Sequence, residues 1–318
     1  MNHGTPSVEV EQLVKRFGAF VAVDNISFQA QHGEIFGFLG PNGSGKSTTI
    51  RILCGLLRPS SGRAQVAGID VTTNPEEVRQ NIGYMSQKFS LYNDLRVAEN
   101  LRFFGGMYNV PSAEMPQRIA WALAMAGLKG REDAPTGSLP VGWKQRLALG
   151  CSVLHRPPIL FLDEPTSGVD PVSRRQFWDL IRAMVNEGIT VFVTTHYMDE
   201  AEYCDRLVLL DRGHIVATGT PSELRTERMK GQLLLIECDP LGRALELLQM
   251  APAIRDAAVF GSSIHAVVSD AKAATPVTRD LLTTQGIRVG RVEPIPASLE
   301  DVFVSLTASG EPRKKAAA

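Results

Sequence analysis

The stretch GEIFGFLGPNGSGKSTTIRILCGLL, residues 33–57, decides the fold of the N-terminal part of this chain. Its first eight residues, GEIFGFLG, have the length and apolar composition of a buried strand. A glycine-rich loop follows, and from Lys46 onward the apolar residues recur at the three- and four-residue spacing of a helix. The stretch therefore predicts a strand, a tight loop and a helix in direct succession.

The loop GPNGSGKST matches the pattern G-x-x-x-x-G-K-[ST] of phosphate-binding loops. Its glycines let successive backbone N–H groups point inward at phosphate oxygens, and the positive end of the following helix adds to the attraction. Lys46 is placed to reach β- and γ-phosphates, and Ser47 to ligate Mg²⁺. A glycine-rich turn between core elements is the alternative, but the flanking strand and helix favour phosphate binding. The candidate phosphate-binding residues are Gly40, Pro41, Asn42, Gly43, Ser44, Gly45, Lys46, Ser47 and Thr48.

A second apolar strand, ILFLDEP at residues 159–165, ends in two adjacent carboxylates. Asp163 sits where a carboxylate can hold Mg²⁺, directly or through water. Glu164 beside it suits a base that orients an attacking water, so hydrolysis is favoured over transfer to a substrate. Acidic residues at a strand end are often structural, and the interpretation depends on the phosphate loop upstream.

The pattern of elements predicts an α/β domain with a largely parallel sheet. Two alternating, strand-like runs come first, residues 8–30, and residues 71–151 are read as mostly helical. An amphipathic helix is predicted to end at Gly188, a buried strand to follow at residues 189–196, and a helix after that at residues 198–206. A hairpin with Arg212-Gly213 at its turn is predicted next.

The pattern changes near Lys230, where we place a domain boundary. Residues 231–308 follow the order β-α-β-β-α-β of a small α+β, ferredoxin-like domain. This part carries no catalytic cluster, and His265, in an alternating strand, is interpreted as structural. The polar tail, residues 309–318, is predicted to be disordered.

Composition excludes several classes of protein. The chain has 33 Lys/Arg against 34 Asp/Glu, and from Gly231 onward nine against ten, so neither part has the basic excess of a nucleic-acid-binding domain. The four cysteines are scattered without a CxxC pair, which favours free thiols over a zinc site. No signal peptide and no membrane-spanning run are recognised. A soluble, cytosolic protein is expected, with any membrane role exerted through a partner.

Together, these motifs closely resemble the ATP-binding subunits of ABC transporters of the ABC-2 exporter type. The resemblance covers residues 7–230, with GPNGSGKST as the Walker A motif and ILFLDEP as the Walker B motif. It implies a P-loop NTPase fold of the ABC ATPase type, with a mixed sheet core and a helical subdomain at about residues 88–150. It also implies two cofactors, ATP and Mg²⁺.

The resemblance assigns further site residues. Gln87 matches the Q-loop glutamine, Asp170 the D-loop aspartate, His196 the switch histidine, and Phe17 the aromatic residue that stacks on adenine. Taken singly, a lone glutamine is usually solvated and a lone histidine usually structural; their order and spacing favour function here. The implied catalytic residues are Glu164, His196 and Lys46, and the implied Mg²⁺ ligands are Ser47, Gln87 and Asp163.

One motif departs from the family pattern. Where the family has L-S-G-G-Q before a helix, this chain has Leu139-Pro140-Val141-Gly142-Trp143, followed by an intact KQRL. In the family this helix start closes over the γ-phosphate bound to the other subunit. Because proline lacks both a hydroxyl and an N–H, two hydrogen bonds to a charged group are lost, worth about 3–6 kcal/mol if nothing replaces them. The N–H groups of Val141, Gly142 and Trp143 are expected to contact the phosphate instead.

Two hypotheses follow. In the first, two copies, or this chain and a paralogue, sandwich ATP, and its hydrolysis drives efflux through separate ABC-2-type permease subunits. The protein would then lie on the inner face of the membrane, held by those subunits, without contacting nucleic acid. In the second, the altered motif makes hydrolysis weak and the protein acts as a nucleotide-binding clamp or switch. Soluble relatives acting on ribosomes or DNA are less favoured, since this chain lacks a second such domain and long coiled coils.

Overall fold

A computed structural model describes residues 6–87, 90–227 and 231–308 of the chain. The chain divides into two compact units between Thr218 and Gly219, and each is described by itself. In chain order, the elements of the first unit are β1 (Val8–Phe17), β2 (Phe20–Ala30), β3 (Ile35–Leu39), α1 (Lys46–Leu53), β4 (Ser61–Val66), β5 (Ile69–Asp70), α2 (Pro75–Gln80), β6 (Ile82–Met85), α3 (Val97–Met107), α4 (Met115–Met125), α5 (Val141–Val153), β7 (Ile159–Asp163), α6 (Pro171–Asn186), β8 (Thr190–Thr195), β9 (Arg206–Asp211) and β10 (His214–Gly219).

The central sheet of the first unit has six strands in the order β10-β9-β3-β8-β7-β6. The five strands from β9 to β6 are parallel neighbours, as the alternation of strands and helices predicts. Strands β3, β7 and β8 are buried along their whole length, so they read as continuous apolar runs. Their carboxyl ends meet at one edge of the sheet, where the loops after them begin.

A second, antiparallel sheet in the order β2-β1-β4-β5 covers part of the first. Phenylalanine rings from the two sheets pack between them, with ring centres 4.9–6.0 Å apart. These rings belong to Phe28, Phe36, Phe38, Phe161 and Phe192. The predicted hairpin is present, with Arg212 and Gly213 both at positive φ between β9 and β10.

One local prediction was incomplete and another was wrong. Residues 71–151 are mostly helical, as predicted, but they also contain the strand β6, which pairs with β7. Its four residues are too few to show the two-residue alternation of a strand, and Gly83 contributes no side chain to that pattern. The position requires glycine, because a Cβ there would lie 2.4 Å from the Ser152 carbonyl oxygen. The segment 198–206, predicted as a helix, contains only a short 3₁₀ helix, Met198–Tyr203.

Helices α3, α4 and α5 pack on one another within the predicted helical subdomain. The predicted start of that subdomain, Lys88, lies outside the described residues. Helix α6 ends close to Gly188, whose φ of 96° suits the predicted C-terminal position. At the other end of α6, Asp170 accepts hydrogen bonds from the N–H groups of Val172 and Ser173.

The second unit contains α7 (Pro221–Glu227), β11 (Gln232–Asp239), α8 (Leu241–Met250), β12 (Ile254–Phe260), β13 (Ser263–Val268), α9 (Ala271–Thr284), β14 (Arg288–Ile295) and α10 (Leu299–Ala308). Strands β11 to β14 form an antiparallel sheet in the order β12-β13-β11-β14. With α8 and α9 between the strands, this is the predicted β-α-β-β-α-β order. Among the described residues, no helix combines the length and apolar character needed to cross a bilayer.

The domain boundary falls at a different place from the predicted one. Lys230, where the sequence places it, lies outside the described residues, and the tail at 309–318 does so too. The structure divides the chain before α7, and α7 contacts α10 of the second unit. His265 of β13 is bonded to Asp301 of α10, with 2.6 Å between Nδ1 and Oδ1, which agrees with a structural role.

Candidate functional site

The loop after β3 is held by glycine geometry. Gly40 and Gly45 have φ values of 155° and 106°, in the region that side chains rarely adopt. A Cβ at Gly40 would lie 2.2 Å from the Leu210 carbonyl oxygen, and one at Gly45 would lie 2.6 Å from that of Ala22. The loop is therefore wedged against β9 and β2, and its shape requires both glycines.

The loop has the features that a phosphate group needs. Its tip, residues 41–43, is exposed, while the Ser44 hydroxyl is buried and has no hydrogen-bond partner among the described residues. Helix α1 begins at Lys46 directly after Gly45 and has no side-chain cap, so its first N–H groups face the loop. A buried, unpaired hydroxyl beside open helix N–H groups fits a bound phosphate.

Lys46 is buried in this loop, with 4% of its surface exposed. Its ammonium donates to the carbonyl oxygens of Gly40 and Pro41, at 2.8 and 3.1 Å, and lies 3.7 Å from Glu164 Oε1. Burial lowers the pKa of Lys46, and the carboxylates of Glu164 and Asp163 oppose that shift. A desolvated ammonium held between loop and carboxylates exerts a strong field on a nearby phosphate.

Ser47 and Asp163 form an oxygen pair suited to Mg²⁺. The Ser47 hydroxyl donates to Asp163 Oδ1 at 2.9 Å, and Thr194 at the end of β8 donates to the same oxygen at 2.8 Å. Hydroxyl and carboxylate oxygens are the donors that this hard cation prefers, so these two residues fit the implied metal. The two residues that the sequence names separately as candidate Mg²⁺ ligands are therefore in direct contact.

Glu164 is the centre of the polar cluster. Its backbone has φ of 48°, and its N–H donates to both the carbonyl and the hydroxyl oxygen of Thr194. Its Oε2 accepts from Gln87 Nε2 at 2.9 Å and lies 3.2 Å from His196 Nδ1, without hydrogen-bond alignment to that nitrogen. The structure thus brings Lys46, Gln87 and His196 around one carboxylate that is only 7% exposed.

Gln87 was also predicted as an Mg²⁺ ligand. Its amide nitrogen donates to Glu164, whereas the donors to Asp163 Oδ1 are the hydroxyls of Ser47 and Thr194. The contact that the structure gives Gln87 is therefore with the candidate base. The segment after Gln87 leads to α3 in the helical subdomain, so this amide connects the base to that subdomain.

The helix start at residues 139–143 keeps its shape without serine. Pro140, with φ of −55° and ψ of 152°, caps α5 in the extended geometry of an N-cap residue. The N–H groups of Trp143 and Lys144 both donate to the Pro140 carbonyl at 3.0 Å. Within the described part of the chain, the N–H groups of Val141 and Gly142 have no acceptor. The prediction for Trp143 needs correction, because its N–H is already used inside the helix.

Comparison with known proteins decides the family. The ABC transporter family model matches residues 23–167, and that of the C-terminal domain of DrrA1-3-like ATP-binding proteins matches residues 219–307. A Nod factor export ATP-binding protein I from Ralstonia nicotianae is 36% identical over 304 residues, covering 95% of this chain and 94% of that protein. The chain belongs to the ABC transporter family.

Two further comparisons agree. The probable multidrug ABC transporter ATP-binding protein YbhF of Escherichia coli is 53% identical over 227 residues, which are 70% of this chain but 39% of that protein. The chain thus matches well under half the length of that relative. A solved structure of an ATP-binding subunit of an ABC transporter matches with a TM-score of 0.64, 30% identity, and coverage of 70% of this chain and 93% of that one. The predicted ABC ATPase fold is confirmed.

Two other predicted residues of the ABC site are exposed at the surface. Phe17 ends β1 with 50% of its surface exposed, and the Lys15 ammonium lies 5.1 Å from its ring centre. An exposed ring is available for stacking. Asp170 is exposed and caps α6; hydrogen bonds from the backbone and side chain of Ser173 lower its pKa.

Several polar residues of this ABC protein escaped the sequence interpretation. Thr194 bonds both Asp163 and the N–H of Glu164. Glu200 is buried, and its carboxylate accepts hydrogen bonds from the hydroxyls of Thr166 and Thr195. The sequence signal from which these contacts could have been inferred is the run VTTH, in which two threonines end a fully buried strand.

Proposed function

We propose that this protein binds and hydrolyses ATP and drives efflux through separate ABC-2-type permease subunits. The observation that carries the proposal is the cluster around Glu164, a buried carboxylate within contact of Lys46, Gln87 and His196 beside the phosphate loop. A phosphate loop alone accounts only for nucleotide binding. A buried carboxylate surrounded by these residues adds a general base that can accept a proton from the attacking water.

Each residue of the site has its own role in the proposed hydrolysis of ATP. The loop N–H groups and Lys46 hold the phosphates and offset the negative charge that develops on them. Glu164 orients and polarises the attacking water, and His196, 3.2 Å from it, holds that water in line. Mg²⁺, when bound between Ser47 and Asp163, would supply charge neutralisation at the phosphate oxygens. Phe17 would stack on adenine.

We propose further that hydrolysis requires two chains, either two copies of this one or this chain with a paralogue. The support is the exposed start of α5, where Val141 is 48% exposed and two N–H groups have no acceptor in the described residues. An open helix N-terminus attracts an anion, and the γ-phosphate held by the other chain is such an anion. Asp170, exposed at the start of α6, would lie at the same contact.

The permease contact is proposed for a groove beside the helical subdomain. The groove has a volume of about 440 Å³, and its lining includes the exposed apolar side chains of Leu56 and Met107 together with Glu76 and Arg79. It also includes Tyr84 of β6, three residues before Gln87, so a contact there is close to the residue that touches Glu164. Through that contact the protein would lie on the cytoplasmic face of the membrane.

The cargo is proposed to be chosen by the permease and not by this chain. The similar proteins are named for different cargoes, multidrug in one case and Nod factor in another. The second unit, similar to the DrrA1-3-like C-terminal domain, is proposed to reinforce or regulate the dimer.

The alternative, a nucleotide-dependent switch with weak hydrolysis, rests on Pro140 and Val141. The preserved geometry of the α5 start argues against it, because two backbone donors and the helix dipole persist there.

The variant Glu164→Gln tests the assigned base. It keeps the size of the side chain and can still contact Gln87, but it has no carboxylate. We expect ATP turnover to fall at least about 100-fold while ATP binding persists, because the loop and Lys46 are unchanged. Phosphate release and equilibrium binding of a fluorescent ATP analogue measure the two quantities. Hydrolysis at the wild-type rate would refute the role of Glu164.

The matched control is Glu34→Gln. Glu34 is also buried and accepts from the Gln31 N–H at 2.6 Å, but it precedes β3 at the opposite end of that strand from the phosphate loop. The same chemical change there is expected to leave turnover unaltered.

A further inference from the structure

Glu200 is a buried carboxylate that the mechanism above does not use. Only 1% of its surface is exposed. Its Oε1 accepts from the Thr166 hydroxyl and lies 3.4 Å from Arg174 Nε, and its Oε2 accepts from the Thr195 hydroxyl at 2.6 Å. A carboxylate taken out of water is costly unless it is well paired, and here two hydroxyl donors and one ion pair surround the group.

The two hydroxyl donors and the ion-pair partner come from three segments that carry candidate site residues. Thr166 lies two residues after Glu164, and Thr195 directly precedes His196. Arg174 lies in the first turn and a half of α6, the helix that Asp170 caps. One carboxylate therefore joins the segment of the base, the segment of the switch histidine and the helix that begins at the dimer contact.

A second set of contacts leads from the same carboxylate to the imidazole. The Thr195 hydroxyl, which donates to Glu200, accepts from the Tyr197 N–H at 2.9 Å. The Arg174 guanidinium lies 4.4 Å from the centre of the Tyr197 ring, and that ring lies 4.1 Å from the centre of the His196 ring. The two residues next to His196 in the chain, Thr195 and Tyr197, are therefore both held by contacts that lead to Glu200.

We infer that Glu200 is a positioning residue for ATP hydrolysis, which holds His196 in place against Glu164 through Thr195, Thr166 and Arg174. The inference rests on the proposed function, because it concerns the same site. It predicts that loss of the carboxylate disturbs turnover and not nucleotide binding, since Glu200 touches neither the phosphate loop nor Lys46 in the contacts described.

The first variant is Glu200→Gln. An amide has a single acceptor oxygen, so it satisfies one threonine hydroxyl, leaves the other without its acceptor and ends the ion pair with Arg174. We expect kcat to fall at least about tenfold with the KM for ATP within about twofold of wild type. The control is again Glu34→Gln, a buried glutamate with one ion pair, to Arg206 at 3.4 Å. Its kcat is expected to stay at the wild-type value.

A second pair of variants keeps the test decisive if Glu200→Gln fails to fold. Thr195→Val removes the hydroxyl with little change in volume, and Thr195→Ser retains it. The inference requires that kcat falls in the valine variant and is restored in the serine variant. The double variant Glu200→Gln with Thr195→Val should be no slower than the slower single variant, because both changes break the same link. Independent, multiplicative losses would overturn the inference.

A spectroscopic measurement separates this inference from the proposed function. The ring signals of His196 in ¹⁵N-labelled protein, assigned with His196→Gln, should shift in Glu200→Gln and stay in place in Glu34→Gln. Unchanged signals would overturn the inference whether or not the protein hydrolyses ATP. A parallel fall of kcat and ATP affinity would also overturn it, since that is the pattern of a purely structural residue. If the His196 signals shift in Glu200→Gln as expected but the wild-type protein never hydrolyses ATP, the proposed function alone is refuted.

Discussion

Restoring the family motif at the start of α5 gives the sharpest test of whether hydrolysis is the work of this protein. The change is Pro140→Ser together with Val141→Gly. Pro140 already has the extended φ and ψ of an N-cap residue, so serine fits without movement of the backbone. Val141 is half-exposed at the first helical position, so little packing is lost there. Gly142 stays, because a Cβ there would lie 2.8 Å from Ser173.

The size of the effect follows from the donors at this helix end. Serine restores two donors, its hydroxyl and its N–H, and each hydrogen bond to a charged phosphate is worth about 1.5–3 kcal/mol if the site lacks an equivalent. Each 1.36 kcal/mol corresponds to about tenfold in rate, so the gain would be about 10- to 150-fold for each bond. The N–H groups of Val141 and Gly142 already have no acceptor in the described chain and the helix dipole supports them. We therefore expect kcat within about threefold of wild type.

The assay is steady-state phosphate release at saturating ATP and Mg²⁺, measured over a range of protein concentrations because two chains are required. The single variants Pro140→Ser and Pro140→Ala isolate the hydroxyl, since both remove the ring and restore the N–H, and only serine adds a hydroxyl. A tenfold or larger gain in the double variant, absent in the alanine control, would refute the reasoning. It would mean that the natural chain lacks a contact that hydrolysis needs, and the switch hypothesis would be preferred.

Two further predictions concern the loop and the thiols. Gly45→Ala should weaken ATP binding at least about tenfold and lower the melting temperature more than Gly33→Ala, because both have positive φ but only the first places a Cβ against a backbone oxygen; binding titrations and thermal melts check this. A thiol reagent at pH 8 should label at most Cys238 in the native protein and all four cysteines in denaturant, because burial raises the pKa of each thiol and hides the other three.

The sequence predicts those parts of the site in which the role of each residue is evident from its immediate neighbours in the chain. The phosphate loop needs its glycines in place and a lysine at the start of the helix, and both are visible in a nine-residue motif. Asp163 and Glu164 are visible because charge at the end of an apolar strand is conspicuous. The family resemblance named Gln87 and His196 as site residues, but their contacts with Glu164 are known only from the structure, since no local rule places three distant segments together.

The features that the sequence could not predict depend on which strand, helix or backbone group is the contact partner in the folded chain. Strand β6 has four residues and becomes a strand only because β7 pairs with it. The N–H of Trp143 looked available, but the Pro140 carbonyl accepts it once the helix forms. The unit boundary moved because α7 contacts α10, far along the chain. In each case the deciding contact is with a residue that no local pattern names.

The order of strands explains why threonines, and not further apolar residues, end β8. This strand lies between β3, which leads to the phosphate loop, and β7, which leads to the two carboxylates. Neighbouring residues on a strand face opposite sides of the sheet. Thr194 accordingly bonds Asp163, while Thr195 bonds Glu200. Two adjacent hydroxyls on the middle strand thus fix two carboxylates on opposite faces, and valine at either position would leave a buried carboxylate short of a donor. His196 follows directly, so its position is set by the same pair.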